Sequence, residues 1–257
     1  VGGPATFEDL VAEGAAVPVE GWDFSWFAGR ATEERPPWGY AATVARRLGV
    51  VGSVLDVQTG GGEVYGWALR HAGRMPPRLA ATESWLPNLR IARATLGPLG
   101  GRVVAAIDDG GLPFAAGAFD LVVSRHPVVT GWEEIARVLR PGGSYLSQQI
   151  GAGSNRELID FLMGPQPVNE VRSVRRAVQA AEAAGLVVVD LREAALRVEF
   201  HDVGAVVHFL RKVLWTVPGF TVDAYRDRLA ALHEQISRDG LFVAHAQRFF
   251  IEARRPA

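Results

Sequence analysis

Four short groups of residues in this chain have the types and spacing of chemistry. Asp56 is followed by Gln58, Gly60, Gly61 and Gly62, an acid feeding a glycine turn. Glycine suits a turn that takes positive φ and lets a ligand lie against bare backbone. Glu83 stands 21 positions (83 − 62) after Gly62, where a second-strand carboxylate accepts from both hydroxyls of an adenosine ribose. Asp108 and Asp109 precede Gly110-Gly111 and Leu112-Pro113-Phe114. Alone they read as an Asx turn; beside Leu-Pro-Phe they read as a ligand contact. Last, Ser124-Arg125-His126 joins a side chain that exchanges protons near neutral pH to one that pairs with acidic groups.

Such residues need a sheet to hold them. The apolar, β-branched run Val50, Val51, Val54, Leu55, Val57 is a strand leading to the glycine turn, and from Glu63 apolar residues recur at helical spacing over 63–72. Strand, tight turn and helix make a ligand crevice at the carboxyl end of a strand in an open α/β sheet, with helix N–H groups facing an anionic group. Further strands read over 79–84, 102–107, 119–124, 144–150, 186–194 and 242–253. Helices read over 4–16, 39–48, 85–96, 131–139, 154–164 and 172–184, and Arg140-Pro141-Gly142-Gly143 reads as a helix stop. Residues 200–240 read as an insertion of two helices around a Val217–Phe220 turn, too amphipathic for disorder.

Taken together, Asp56 to Gly62, Glu83, the Asp108–Phe114 stretch and residues 133–146 resemble the class I S-adenosylmethionine-dependent methyltransferases, in the branch that includes ubiquinone and menaquinone biosynthesis enzymes. The resemblance covers roughly residues 38–150. It implies a Rossmann-like, mostly parallel seven-stranded α/β sheet with helices on both faces, the last strand antiparallel and a helical insertion before it. It implies S-adenosyl-L-methionine as cofactor, held by Asp56, Gln58, Gly60, Gly62, Glu83, Ser84, Asp108, Asp109 and Ser124. Within that set Asp56 lies near the amino group and Asp108 accepts from the adenine amine. His126 is then the candidate general base and Arg125 a contact to the acceptor. Trp22, Trp26, His201 and Trp215 are candidate acceptor-side residues, in an N-terminal lid (1–37) and the 200–240 insertion of a 38–257 methyltransferase domain.

One position departs from the D-x-G-x-G-x-G pattern, because Gln58 stands where the first glycine belongs. Either its φ is negative or Gly61 absorbs the bend, and its amide could bond the amino-acid end of the cofactor.

Composition narrows the acceptor. A formal net charge of −1 and a pI near 6.7 show no global basic field, which favours a small-molecule acceptor over RNA. There is no cysteine, so thiolate chemistry and disulfides are out. Glu199, His201, Asp202 and His208 read as a surface group with Asp202 as an N-cap, not as a metal site. With no apolar run of membrane-spanning length, the expectation is a cytoplasmic monomer or homodimer. The competing readings are an RNA methyltransferase, a cofactor-binding relic without chemistry, and, weakest, a nicotinamide dehydrogenase.

Overall fold

The computed structural model describes residues 5–19 and 24–257. The chain divides into two compact units. The larger holds Pro36–Ala152, Glu170–Ala194 and Arg248–Ala257; the smaller holds Val1–Arg35, Gly153–Asn169 and Ala195–Gln247.

In the larger unit, β2 (Ser53–Asp56) is central, and all four of its residues are buried. It pairs in parallel with β3 (Arg78–Glu83) on one side and β5 (Phe119–Arg125) on the other. Beyond β3 lies β4 (Arg102–Ala105), and beyond β5 lies β6 (Leu139–Ile150), both parallel to their neighbours. β8 (Phe242–Arg254) runs antiparallel to β6, with Ser144 opposite Arg254 and Ile150 opposite Arg248. These central strands are apolar without alternation because both faces are covered. Successive residues serve opposite cores: Val54, Leu121 and Val123 join Leu48, Leu69 and Leu96, whereas Leu55 and Val122 join Ile135, Val138 and Leu186. Each such side chain, fully buried, contributes about 1.5–3 kcal/mol.

The helices covering the sheet are α2 (Tyr40–Leu48), α3 (Glu63–Arg70), α4 (Leu86–Leu96), α5 (Trp132–Val138) and α7 (Val174–Ala183), the last adding Ala181 with Leu186 just beyond its end. The Asp120 carboxylate accepts from the amides of Gly52 and Ser53 at 2.7 and 2.8 Å, tying the start of β2 to β5. From β2 the chain moves outward through β3 and β4, then returns to β5 on the other side. A crevice therefore opens between the carboxyl ends of β2 and β5, at the point where the strand order reverses.

The smaller unit contains α1 (Phe7–Ala16), β1 (Ala31–Glu33), α6 (Arg156–Met163), α8 (Val203–Lys212) and α9 (Arg226–Asp239). β1 pairs antiparallel with Val198–Phe200 of β7 (Val187–Phe200). A capping box starts α1: Thr6 Oγ1 accepts from the Asp9 amide, and Asp9 Oδ2 accepts from the Thr6 amide. α1 and α8 approach closely through Gly14 and Gly204.

Among the described residues the strands order as β1-β7-β8-β6-β5-β2-β3-β4. Eight strands replace the seven expected, because β1 forms in a segment whose Pro-rich, polar character conceals a strand. β4 stops at Ala105, two residues early. α5 ends at Val138, directly before the 140–143 turn, and that turn lies inside β6, bent at Gly142 (φ 75°). β7 runs on to Phe200, beyond its expected end at 194. The two helices of the insertion are present, with Phe220 N–H donating to the Val217 carbonyl in the turn between them. No helix among the described residues is long and apolar enough to cross a membrane.

Candidate active site

The floor of the crevice is the turn that follows β2. Gly60 and Gly62 take φ of 64° and 80°, values that favour glycine. Their reasons differ. A Cβ at Gly62 would come 2.9 Å from the Leu96 side chain, so this glycine seats α3 against α4. Gly60 turns its amide to Glu83, donating to Oε2 at 2.8 Å. Trp85 N–H donates to the other carboxylate oxygen at 2.9 Å. The Ser84 backbone bonds it as well, so of the about four acceptor positions of an ionised carboxylate one stays open toward a ligand hydroxyl. Burial raises the Glu83 carboxyl, with these backbone donors opposing it and the Asp108 charge adding to it. Asp56, Gly60, Glu83 and Asp108 thus gather at adjacent strand ends, as their spacing predicts.

Asp56 is buried, and its Oδ2 accepts from Thr59 Oγ1 at 2.5 Å. Burial pushes its carboxyl up to about 7, the Thr59 bond opposing and the Glu83 charge adding. A carboxylate held in that state gains its full interaction only when a cation arrives, which fits the ammonium end of an amino-acid ligand. Glycine amide, paired acceptor and cation-seeking acid together match the donor set that S-adenosylmethionine requires.

Gln58 corrects the expectations placed on it. Its φ is +57°, so it takes the left-handed turn itself, and Gly61 does not absorb the bend. Its side chain is already committed. Nε2 donates to the Val129 carbonyl at 2.7 Å, and Oε1 accepts from the Val128 amide at 2.6 Å. The Gln58 amide donates in turn to Thr82 Oγ1 at 3.2 Å. Val57, Gln58, Asp108, Gly110 and Leu112 line a cavity of about 20 Å³ with Gly131, Glu134 and Ile135.

At the end of β5, His126 also takes a left-handed φ, +53°. Its amide donates to the Gln148 carbonyl at 2.7 Å, and its Nε2 lies 2.9 Å from Gln148 Nε2. The opposite end of that amide, Oε1, lies 2.8 Å from Trp38 Nε1. An indole N–H only donates, which assigns Oε1 as the acceptor and leaves the amide NH₂ facing His126. Nε2 of His126 must then accept, and its proton sits on Nδ1. Burial, and then the guanidinium groups of Arg125, Arg248 and Arg172, hold the imidazole well below the ordinary histidine range. His126 is therefore a neutral ring that accepts from Gln148, and the lone pair a general base would use is engaged.

Ser124 is not brought to the crevice. Its hydroxyl lies 2.7 Å from Tyr145 Oη and 2.9 Å from Ser147 Oγ, inside the sheet. Its carbonyl accepts from Tyr40 Oη at 2.8 Å. Ser84 and Asp109 are exposed just beyond their strands, and Arg125 is exposed at the end of β5.

The acceptor-side candidates belong to the smaller unit. Trp22 lies outside the described residues. Trp26 packs edge-on against Phe27 and His208, with the Arg30 guanidinium 4.3 Å above its ring. His201 precedes α8 and lies 3.8 Å from Glu199, whereas His208 is buried within the helix, so the two do not share a helical face. Asp202 caps that helix, accepting from the Ala205 amide at 2.8 Å. Trp215 is exposed. Residue types alone did not single out Trp38, Gln148, Thr59 or Thr82. Their roles come from strand register: Gln148 reaches His126 because it pairs with Arg125 across β5 and β6.

Residues 55–147 match the family model described as a methyltransferase domain. No protein of curated function matches the chain in sequence. Among solved structures, a protein from Bacillus halodurans C-125 assigned provisionally as a methyltransferase is 17% identical, with 84% of this chain and 99% of that one covered and a TM-score of 0.57. A geranyl diphosphate methyltransferase bound to S-adenosylmethionine is 17% identical over 84% of each chain, with a TM-score of 0.51. A phosphoethanolamine N-methyltransferase of Haemonchus contortus bound to S-adenosylhomocysteine is 15% identical, covering 86% of this chain and 53% of that one, with a TM-score of 0.51. Likeness at these identities carries the fold, while the match over residues 55–147 carries the glycine turn, Glu83 and Asp108 along with it. Residues 55–147 of the chain are accordingly similar to a methyltransferase domain, set in a fold shared with solved methyltransferases.

Proposed function

We propose that this protein transfers the methyl group to an O, N or C atom of a small-molecule acceptor. Support comes from the β5 end of the crevice, where His126 is neutral and fixed by Gln148 and Trp38. A site of that kind orients an acceptor by hydrogen bonding and desolvation and does not withdraw a full proton. The net charge of −1 argues the same way, since RNA recognition rests on a basic field. Two of the structural neighbours act by name on geranyl diphosphate and on phosphorylated ethanolamines, both small molecules.

When bound, S-adenosylmethionine supplies a methyl group made electrophilic by a sulfonium centre. The residues of the chain then divide the work. Asp56, once ionised, would meet the amino group, Glu83 would accept from the ribose, and Asp108 would accept from the adenine amine. With Nε2 held by Gln148, the proton of His126 sits on Nδ1, and the ring would become a base only if Gln148 released Nε2. Trp26, His201 and Trp215 are the proposed acceptor-side residues. Calorimetry with S-adenosylhomocysteine and NAD tests the donor, and mass spectrometry of small-molecule and tRNA mixtures incubated with the donor tests the acceptor. Methylation of RNA alone, with affinity falling steeply as salt rises, would replace the small-molecule reading.

A further inference from the structure

We infer that Gln58 is a clip across the donor crevice, a positioning residue whose amide S-adenosylmethionine must displace in order to bind. The inference rests on the donor assignment and goes beyond it. The crevice of an α/β sheet lies where strand order reverses, here between the loops after β2 and after β5. Gln58 stands two residues after β2; Val128 and Val129 stand just after β5. One side-chain amide spans the gap, using its donor and its acceptor at once, at 2.7 and 2.6 Å. The Gln58 end of the bridge carries strain, because a non-glycine residue stands there at φ of +57°. Such conformations persist only where surrounding bonds over-determine them.

A small cavity borders the clip. The cavity lined by Val57, Gln58 and Asp108 measures about 20 Å³, roughly enough for one water. A ligand of nucleoside size needs a cleft of about 300 Å³ or more. A glycine at position 58, as the pattern D-x-G-x-G-x-G has it, would make neither bond. The glutamine therefore gives the crevice a clipped state, and only the open state binds the donor. The apparent affinity is the intrinsic affinity reduced by the open fraction.

Stopped-flow association and calorimetry with S-adenosylhomocysteine test this on the full chain, as wild type, Gln58→Gly and Gln58→Asn. Asparagine tolerates the left-handed conformation but is one methylene too short to span the gap. Breaking two neutral hydrogen bonds corresponds to about a five- to fifty-fold gain in affinity. The gain should appear in both variants and mainly in the association rate. Equal or weaker binding by both variants overturns the clip, and weaker binding shows that the amide touches the ligand instead. Adding Glu83→Ala to each form separates the two levels of the argument. Affinity that depends on Glu83 but not on residue 58 overturns the clip alone. Binding that ignores Glu83, or is missing from every form, overturns the donor assignment and the clip with it.

Discussion

The Gly60 amide donates to Glu83 Oε2 at 2.8 Å, so the glycine turn and the carboxylate of the next strand are one bonded unit before any ligand arrives. The turn is aimed by Glu83, and Glu83 is aimed by the turn. Replacing Glu83 with Ala should weaken S-adenosylhomocysteine binding by about 1–3 kcal/mol, through lost charge-assisted bonds and a slack turn. Glu83→Gln should recover part of that loss. Calorimetry measures both, and an unchanged affinity in Glu83→Ala would remove this carboxylate from the cofactor site.

Asp56 makes both donor binding and stability depend on pH. Burial pushes its folded carboxyl up to about 7, from 3.8 for the free side chain. The folded state therefore holds the proton more tightly than the unfolded state, and stability from this group is full below pH ~4 and lost as pH rises toward 7. Asp56→Asn should flatten that slope and raise unfolding stability at pH 8 by on the order of 2–4 kcal/mol. Donor affinity should move oppositely: falling as pH drops below about 7 in the wild type, and weak and pH-independent in Asp56→Asn. Urea titrations and calorimetry over pH 5–9 check the two signs together.

The tautomer of His126 depends on a neighbour whose side-chain polarity can be changed. Gln148→Glu puts a carboxylate where the amide accepts from Trp38 and donates to the imidazole. Nε2 must then carry the proton, and the imidazole pKa should rise by about 1–3. Nitrogen NMR of the ring reports the tautomer, and the pH–rate profile should shift its acidic limb in step. A ring that keeps its Nδ1–H form in Gln148→Glu would show that the relay does not set it.

Gly14 and Gly204 test the packing of α1 on α8. A Cβ on Gly14 would overlap the Gly204 carbonyl. On an exposed helix Gly→Ala stabilises by up to about 1 kcal/mol, but here Gly14→Ala should destabilise by about 1–3 kcal/mol. The sign of the change, read from urea unfolding, decides whether that approach is real.

Much of the site was legible along the chain because it is local. The acid, the glycine turn and the following helix lie within a dozen residues, and Glu83 and Asp108 fall at the ends of the next two strands. Backbone geometry and the length of a strand–helix unit set those distances, so residue type and spacing were enough. Even the departure at position 58 showed as a broken pattern, although its left-handed φ did not.

What lay beyond the sequence depends on which strands become neighbours and which face a side chain takes. Ser124 and His126 are two residues apart, yet one is buried among hydroxyls of β6 and the other meets Gln148. Trp38 reaches Gln148 across 110 positions, and Gln58 reaches Val129 across 71. The amino-acid order by itself determined that this chain builds a mostly parallel α/β sheet with a glycine turn after its central strand. Only tertiary structure decided that the histidine ring is held by Gln148 and that Gln58 bridges two loops, because hydrogen bonds between distant segments follow strand register and side-chain direction, which no local pattern encodes.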